Sequence, residues 1–345
     1  MLNKIFRACS ITICLFLLFG CNVSAQNKEN YRNQNTLMSK NFIYILEENA
    51  AIIQEYIGHD RHCTIPETLD GHTVVGIDDT AFENKRFLLS ISMPNTIEWI
   101  GKEAFAYCDL LNEIDWSDNL HLVGAAAFAE CYSLTSVEMP KKLTIIPVEM
   151  FYLCVNLQEV ICSDDLLEIE DGAFMGCYRL KEFTFPSGLQ KIGAEAFKEC
   201  TSLRSIRLPD GITELKKETF WQCVRLKSVQ LPERLKVIGD GVFVNCRSMD
   251  SVRIPDDVEY IGDGAFNGCK SSMLLIGKVG SAAQKYCMDT SEDVGFKDAD
   301  TGQITAIAHP FLHDIFFLTN SFLGQIITLP IRLYGDLLHL FIRIY

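Results

Sequence analysis

The side chains best suited to metal or redox chemistry in this sequence are its fourteen cysteines and seven histidines. Their spacing argues against both chemistries. No C-x-x-C pair occurs, so a zinc site lacks its usual half-motif. Instead, Cys108, Cys131, Cys154, Cys177, Cys200, Cys223, Cys246 and Cys269 recur every 23 residues. Each stands three places after a Phe, and the first seven stand three before a Leu or Met, the setting of a small buried hydrophobe. Buried free thiols that resist alkylation are expected; bridging between adjacent turns is the competing reading. His59, His62, Cys63 and His72 cluster, but Arg61 sits among them. His309 and His313 lack the intervening Glu of a zinc-protease helix, and Pro310 follows the first. No nucleophile elbow, phosphate loop or dinucleotide fingerprint is present. The expectation is a chain without catalytic activity, metal or cofactor.

The elements around those cysteines repeat with the same period. Phe82, Phe105, Phe128, Phe151, Phe174, Phe197, Phe220, Phe243 and Phe266 are each 23 residues apart, with no insertion. Leu88, Leu111, Leu134, Leu157, Leu180, Leu203, Leu226 and Met249 form a second column, and Ile91 to Val252 a third. Leu134-x-x-Val137-x-Met139 has the alternation of a short strand with one buried face. Pro140, Pro186, Pro209, Pro232 and Pro255 end such strands by removing a ladder donor. The chain returns through an apolar pair such as Leu189 and Ile192, often followed by a Gly that supplies turn freedom, and then Ala-Phe in one helical turn or bend. The fold expected is a repeat solenoid with a parallel β-sheet on one face. Its strands would stack at roughly 4.8 Å, and each turn would bury its apolar set only against its neighbours.

These columns resemble the BspA-type leucine-rich repeat. Leu203-Arg204-Ser205-Ile206-Arg207-Leu208-Pro209 and Ala196-Phe197-Lys198-Glu199-Cys200 carry its motif, with Ser117 and Ser163 replacing Pro, and Glu170 and Lys216 replacing Gly. The resemblance spans roughly residues 42–287. It implies an exported or surface-exposed protein that binds other proteins, host matrix or cell-surface components among them, and brings no catalytic residues. It makes Phe105, Phe128, Phe151, Phe174, Phe197, Phe220 and Phe243, with Cys131, Cys154, Cys177, Cys200 and Cys223, the repeat core. It also reads 280–287 as a short closing helix.

The expected organisation is an export signal at 1–25, a linker at 26–41, and a hairpin N-terminal cap with a partial repeat at 42–81. Repeats follow at 82–271, a C-terminal cap at 272–287, a linker at 288–303 and an apolar helical tail at 304–345. Lys4 and Arg7 precede an apolar run too short to span a bilayer comfortably. Leu18-Phe19-Gly20-Cys21 resembles a lipoprotein lipobox, with Cys21 the lipidated residue; Val23-Ser24-Ala25 offers ordinary cleavage instead. The tail admits three readings: packing on protein, lying on a membrane, or spanning one.

The net charge of −14 disfavours a general nucleic-acid binder. Charge along the strand positions is uneven. One solvent-facing column runs Ser92, Asp115, Glu138, Ile161, Thr184, Arg207, Gln230, Arg253, and another Leu89, Asn112, Thr135, Gln158, Lys181, Arg204, Lys227, Asp250. Lys181, Arg204, Arg207, Lys227 and Arg253 are therefore candidates for meeting an acidic protein partner. Ordinary scatter on a solvated face is the alternative. The functional expectation is an exported, membrane-anchored, adhesin-like binding module. The runner-up is a structural or assembly lipoprotein of the envelope that acts through its tail.

Overall fold

The computed structural model describes residues 36–305 apart from 291 and 293. The export signal, Cys21 and residues 306–345 of the tail lie outside the described residues. The chain winds as a β-solenoid of about eleven turns at 23-residue spacing.

The Phe column stacks through the centre. Successive rings from Phe82 to Phe266 lie parallel, with centroids 4.7 to 6.1 Å apart. All nine are fully buried. Each column thiol donates to the carbonyl of the Phe one turn back: Cys131 Sγ lies 3.3 Å from Phe105 O, and Cys154 Sγ 3.2 Å from Phe128 O. That carbonyl already accepts the backbone N–H of its own turn's Cys, as Phe105 O does from Cys108. The thiol thus fills the second lone pair and links turn to turn. Burial pushes the Cys108 and Cys154 thiols up to about 12, and the Cys131, Cys177, Cys200 and Cys246 thiols well above their ordinary value.

Three-residue strands such as Glu159–Ile161 and Ser205–Arg207 pair in parallel, one turn to the next. This strand face is a ladder in pieces. It is interrupted between Asp115 and Ser136, again around Phe183 and Phe185, whose turn forms no strand, and between Gln230 and Ser251. The return side carries short strands as well as the expected turns. The second residue of each apolar pair and the residue before it, Trp99–Ile100 through Tyr260–Ile261, form a second set of parallel two-residue strands.

Of the two expectations for the Ala-Phe arc, a helical turn or a bend, the chain takes the bend. The residues two before and two after every Phe, such as Glu103 (φ 55°) and Tyr107 (φ 60°), occupy the left-handed region. Alternate peptides therefore point the same way, and the N–H groups of Glu103, Phe105 and Tyr107 donate to Ala125, Ala127 and Ala129 of the next turn at 2.8–2.9 Å. The glycines after the return strand serve space, not turn freedom. A Cβ on Gly193 would lie 2.3 Å from the Asp171 nitrogen, whereas the left-handed glycines, Gly172 and Gly176 among them, flank Phe174 in the arc.

Both ends are closed, and both extend beyond their expected boundaries. At the start, β1 (Leu37–Ser39) pairs with β2 (Phe42–Glu47) and β2 with β3 (Ala50–Tyr56), so part of the expected 26–41 linker belongs to the cap. At the other end, helix α1 (Ala282–Asp289) covers the last turns and sets Tyr286 edge-on against Phe266. The expected linker at 288–303 contains the strand Val294–Asp298, paired in parallel with Met273–Gly277. Val294 and Phe296 alternate inward and are buried, which is what draws this segment into the sheet. Ile304–Thr305, expected as the start of the tail, pairs antiparallel with that strand and closes the edge.

Candidate protein-binding face

On each short strand the middle side chain faces the core and its two neighbours face solvent. Ser205–Ile206–Arg207 is exposed, buried, exposed. The strand face therefore carries one column before the buried residue as well as one after it. The column after it contains Asp115, Glu138, Arg207 and Arg253. The column before it, Ser90, Glu113, Ser136, Glu159, Glu182, Ser205, Ser228 and Ser251, was missed by the sequence reading. Counting both sides of each buried position, by simple alternation, was the signal that would have found it.

The second column sharpens the charge pattern. The turns from Glu113 to Glu182 present Glu113, Asp115, Glu138, Glu159 and Glu182. The later turns present only serines in that column, beside the cations. Lys181, Arg204, Arg207, Lys227 and Arg253 are all exposed, and the fold brings them to one face in successive turns. Among the described residues none of these ten forms an ion pair. Lys181 Nζ donates to Gln158 Oε1 at 2.9 Å, and Asp115 accepts from Ser92 Oγ at 2.7 Å.

Two depressions mark the face. One, about 340 Å3, is lined by Arg204, Arg225, Lys227 and Ser248. Arg225 extends the cationic edge, and the lining, completed by Ser248, contains no carboxylate. The adjacent Asp250 is held below the usual carboxylate range mainly by the Lys270 ammonium. The other, about 430 Å3, lies between residues 112–118 and 136–141, where the strand ladder is interrupted.

The His-rich part of the cap does not converge. His62 Nδ1 meets Ser90 Oγ at 2.8 Å, His72 Nδ1 meets Asn49 O at 3.2 Å, and His59 packs edge-on against Phe87. Among the described residues no group of three or more His, Cys, Asp or Glu is placed to hold a metal ion, and no helix is long and apolar enough to cross a membrane.

No curated protein matches the sequence. Among solved structures, a leucine-rich repeat protein of T. pallidum is similar at 28% identity, over 67% of this chain and 99% of its own, with a TM-score of 0.48. A leucine-rich cell surface protein from Faecalibacterium prausnitzii shows 22% identity over 70% of this chain and 88% of its own, TM-score 0.43. The pneumococcal vaccine antigen PcpA shows 16% over 70% and 81%, TM-score 0.39. Residues 75–187 and 167–293 match the BspA type leucine rich repeat region in six copies. With the Phe, Cys and Leu columns as its repeating core, the chain belongs to the BspA-type leucine-rich repeat family.

Proposed function

We propose that this chain is an exported, adhesin-like protein-binding module that uses its strand face. The cationic half, Lys181, Arg204, Arg207, Lys227 and Arg253, receives an acidic partner. The carrying observation is that these five cations share one exposed face without an ion pair, beside a depression lined by Arg204, Arg225 and Lys227. Exposed cations left without carboxylates raise the encounter rate of an acidic partner and select against basic ones. Lipid anchoring at Cys21 would hold the module at the envelope, with the face directed to host surface or matrix proteins.

The test is retention of the purified chain on immobilised acidic and basic polypeptides of matched length, beside the variant Arg204→Glu/Arg207→Glu. Retention on the acidic polypeptide alone, lost in the variant and in high salt, is expected. Equal retention of wild type and variant overturns the assignment.

A further inference from the structure

The strand face is segregated by sign along the stack. Carboxylates occupy the turns of Glu113, Glu138 and Glu159; cations occupy those of Arg204, Lys227 and Arg253. The Glu182 turn, with Lys181 beside it, divides the two halves. We infer that the face is self-complementary and that its partner is a second copy of this chain, stacked face to face and antiparallel. The inference rests on the strand face being the binding surface, as proposed above.

The geometry of a twofold axis makes this specific. Let the axis lie in the interface, along the strand direction, at the Thr184 turn. A turn at a given number of steps before the axis then faces the turn at the same number of steps after it, column on like column. Three steps out, Asp115 faces Arg253. Two steps out, Glu138 faces Gln230 beside Lys227. One step out, Glu159 faces Ser205 between Arg204 and Arg207. Both copies share one turn-to-turn rise, so a single pair in register puts every other pair in register. The most exposed apolar side chain on the face, Ile161 at 53%, stands one step from the axis. That register sets Ile161 against Arg207 and, on the axis itself, Lys181 and Glu182 against the same residues of the second copy, each lysine diagonal to a glutamate, so the centre of the contact is polar.

The alternative arrangement, with turns facing their own equivalents, sets carboxylates against carboxylates and is disfavoured by the same charges. Area sets the strength. Seven turns at about 4.8 Å, by about 15 Å of strand, give about 500 Å2 per copy. That falls below the roughly 800 Å2 of a standard interface. The association is therefore weak, reversible and governed by salt.

Sedimentation velocity on the full chain, in one mild detergent throughout, tests this. In about 50 mM salt a concentration-dependent dimer is expected, reverting to monomer near 500 mM as screening shortens the reach of the charges. Arg204→Glu/Arg207→Glu and Glu113→Lys/Asp115→Lys/Glu138→Lys should each lose self-association. A mixture of the two variants should pair at least about tenfold more tightly than either with itself, which also shows that both are folded. A monomer at low salt overturns the inference, as does an oligomer indifferent to salt and to both reversals. Poly-L-glutamate separates the two claims. If the wild type binds it through Arg204 and Arg207 yet stays monomeric, only self-pairing falls. If it neither binds nor dimerises, the cationic-face reading falls too.

Discussion

The turn arc and the strand face treat their charges in opposite ways. On the arc, Lys198 Nζ lies 2.7 Å from carboxylates of both Glu195 and Glu218, and 5.0 Å over the Trp221 ring. The return side does the same across turns, pairing Lys191 with Glu168 and Lys236 with Asp257 and Glu259. On the strand face, the carboxylates from Glu113 to Glu182 and the cations from Lys181 to Arg253 sit largely in separate halves, and among the described residues none of them forms an ion pair; Asp250, in the cationic half, is paired with Lys270. Charges on the arc and return side are thus neutralised locally and contribute a little to holding adjacent turns together. Those on the strand face contribute almost nothing to the fold, so under the proposed function stability and recognition would reside in different side chains.

The largest perturbation should ignore this division. Phe197→Ala removes a ring stacked between Phe174 and Phe220 and is expected to cost about 3–5 kcal/mol in urea unfolding. Partner binding per folded molecule should be unchanged. A comparable loss of binding in the folded fraction would show that the face is less independent of the core than the charge pattern indicates.

Lys198→Ala is the next test. Its side chain is only 17% exposed, but that of Glu195 is 36% exposed, so solvent screening reduces the pair's worth. A loss of about 1 kcal/mol is expected. The pH dependence carries the signature. Hydrogen bonding to Lys198 lowers the Glu218 pKa, so that stabilisation is present above the ordinary glutamate value of 4.5 and lost as pH falls through the depressed one. The Lys198 pKa is raised by Glu195 and Glu218 despite opposing desolvation. Its share is present below 10.5 and lost as pH rises through the elevated value. The stability difference between wild type and Lys198→Ala should therefore be widest between these limits and shrink at both ends. A difference that does not vary with pH would mean that the pair contributes through packing alone.

Arg204→Glu/Arg207→Glu should move stability by no more than about 0.5 kcal/mol while abolishing retention on an acidic polypeptide. A larger stability change would erase the contrast between the two sides.

The smallest expected effect is on the thiols. Native Cys131, Cys177 and Cys200 should show no measurable alkylation over hours at pH 8, because they are buried and their thiols are held well above their ordinary value. Mass spectrometry after labelling with and without denaturant measures it. Rapid native labelling of this column would reveal opening of the stack.

What the sequence disclosed follows from how far each interaction reaches. The Phe, Cys and Leu columns were legible because every turn places them in the same environment, so their period is imposed by packing. The segregated charges were legible in part for the same reason. Their companion column, with Glu113, Glu159 and Glu182, escaped a reading that followed one side of each buried residue. The strand Val294–Asp298 was hidden because its unit departs from the period. Phe296 follows its partner Leu275 by 21 residues, helix α1 intervenes, and no Phe-x-x-Cys marks it. The pairing of Lys198 with Glu218 was not legible, since those residues are 20 positions apart and meet only because of the left-handed backbone in the arc.

The sulfur ladder has a further consequence for the life of the molecule. Eleven cysteines among the described residues are unbridged, and eight of them recur at one interval. An opened chain in an oxidising medium would expose thiols that are chemically alike and evenly spaced, with many wrong partners within reach and no native bridge to guide them. Unfolding in such a medium is then a one-way event: the chain must wind up before it is oxidised, and afterwards the closed stack is what keeps its sulfurs reduced. Refolding from urea should accordingly succeed with a reductant and fail without one.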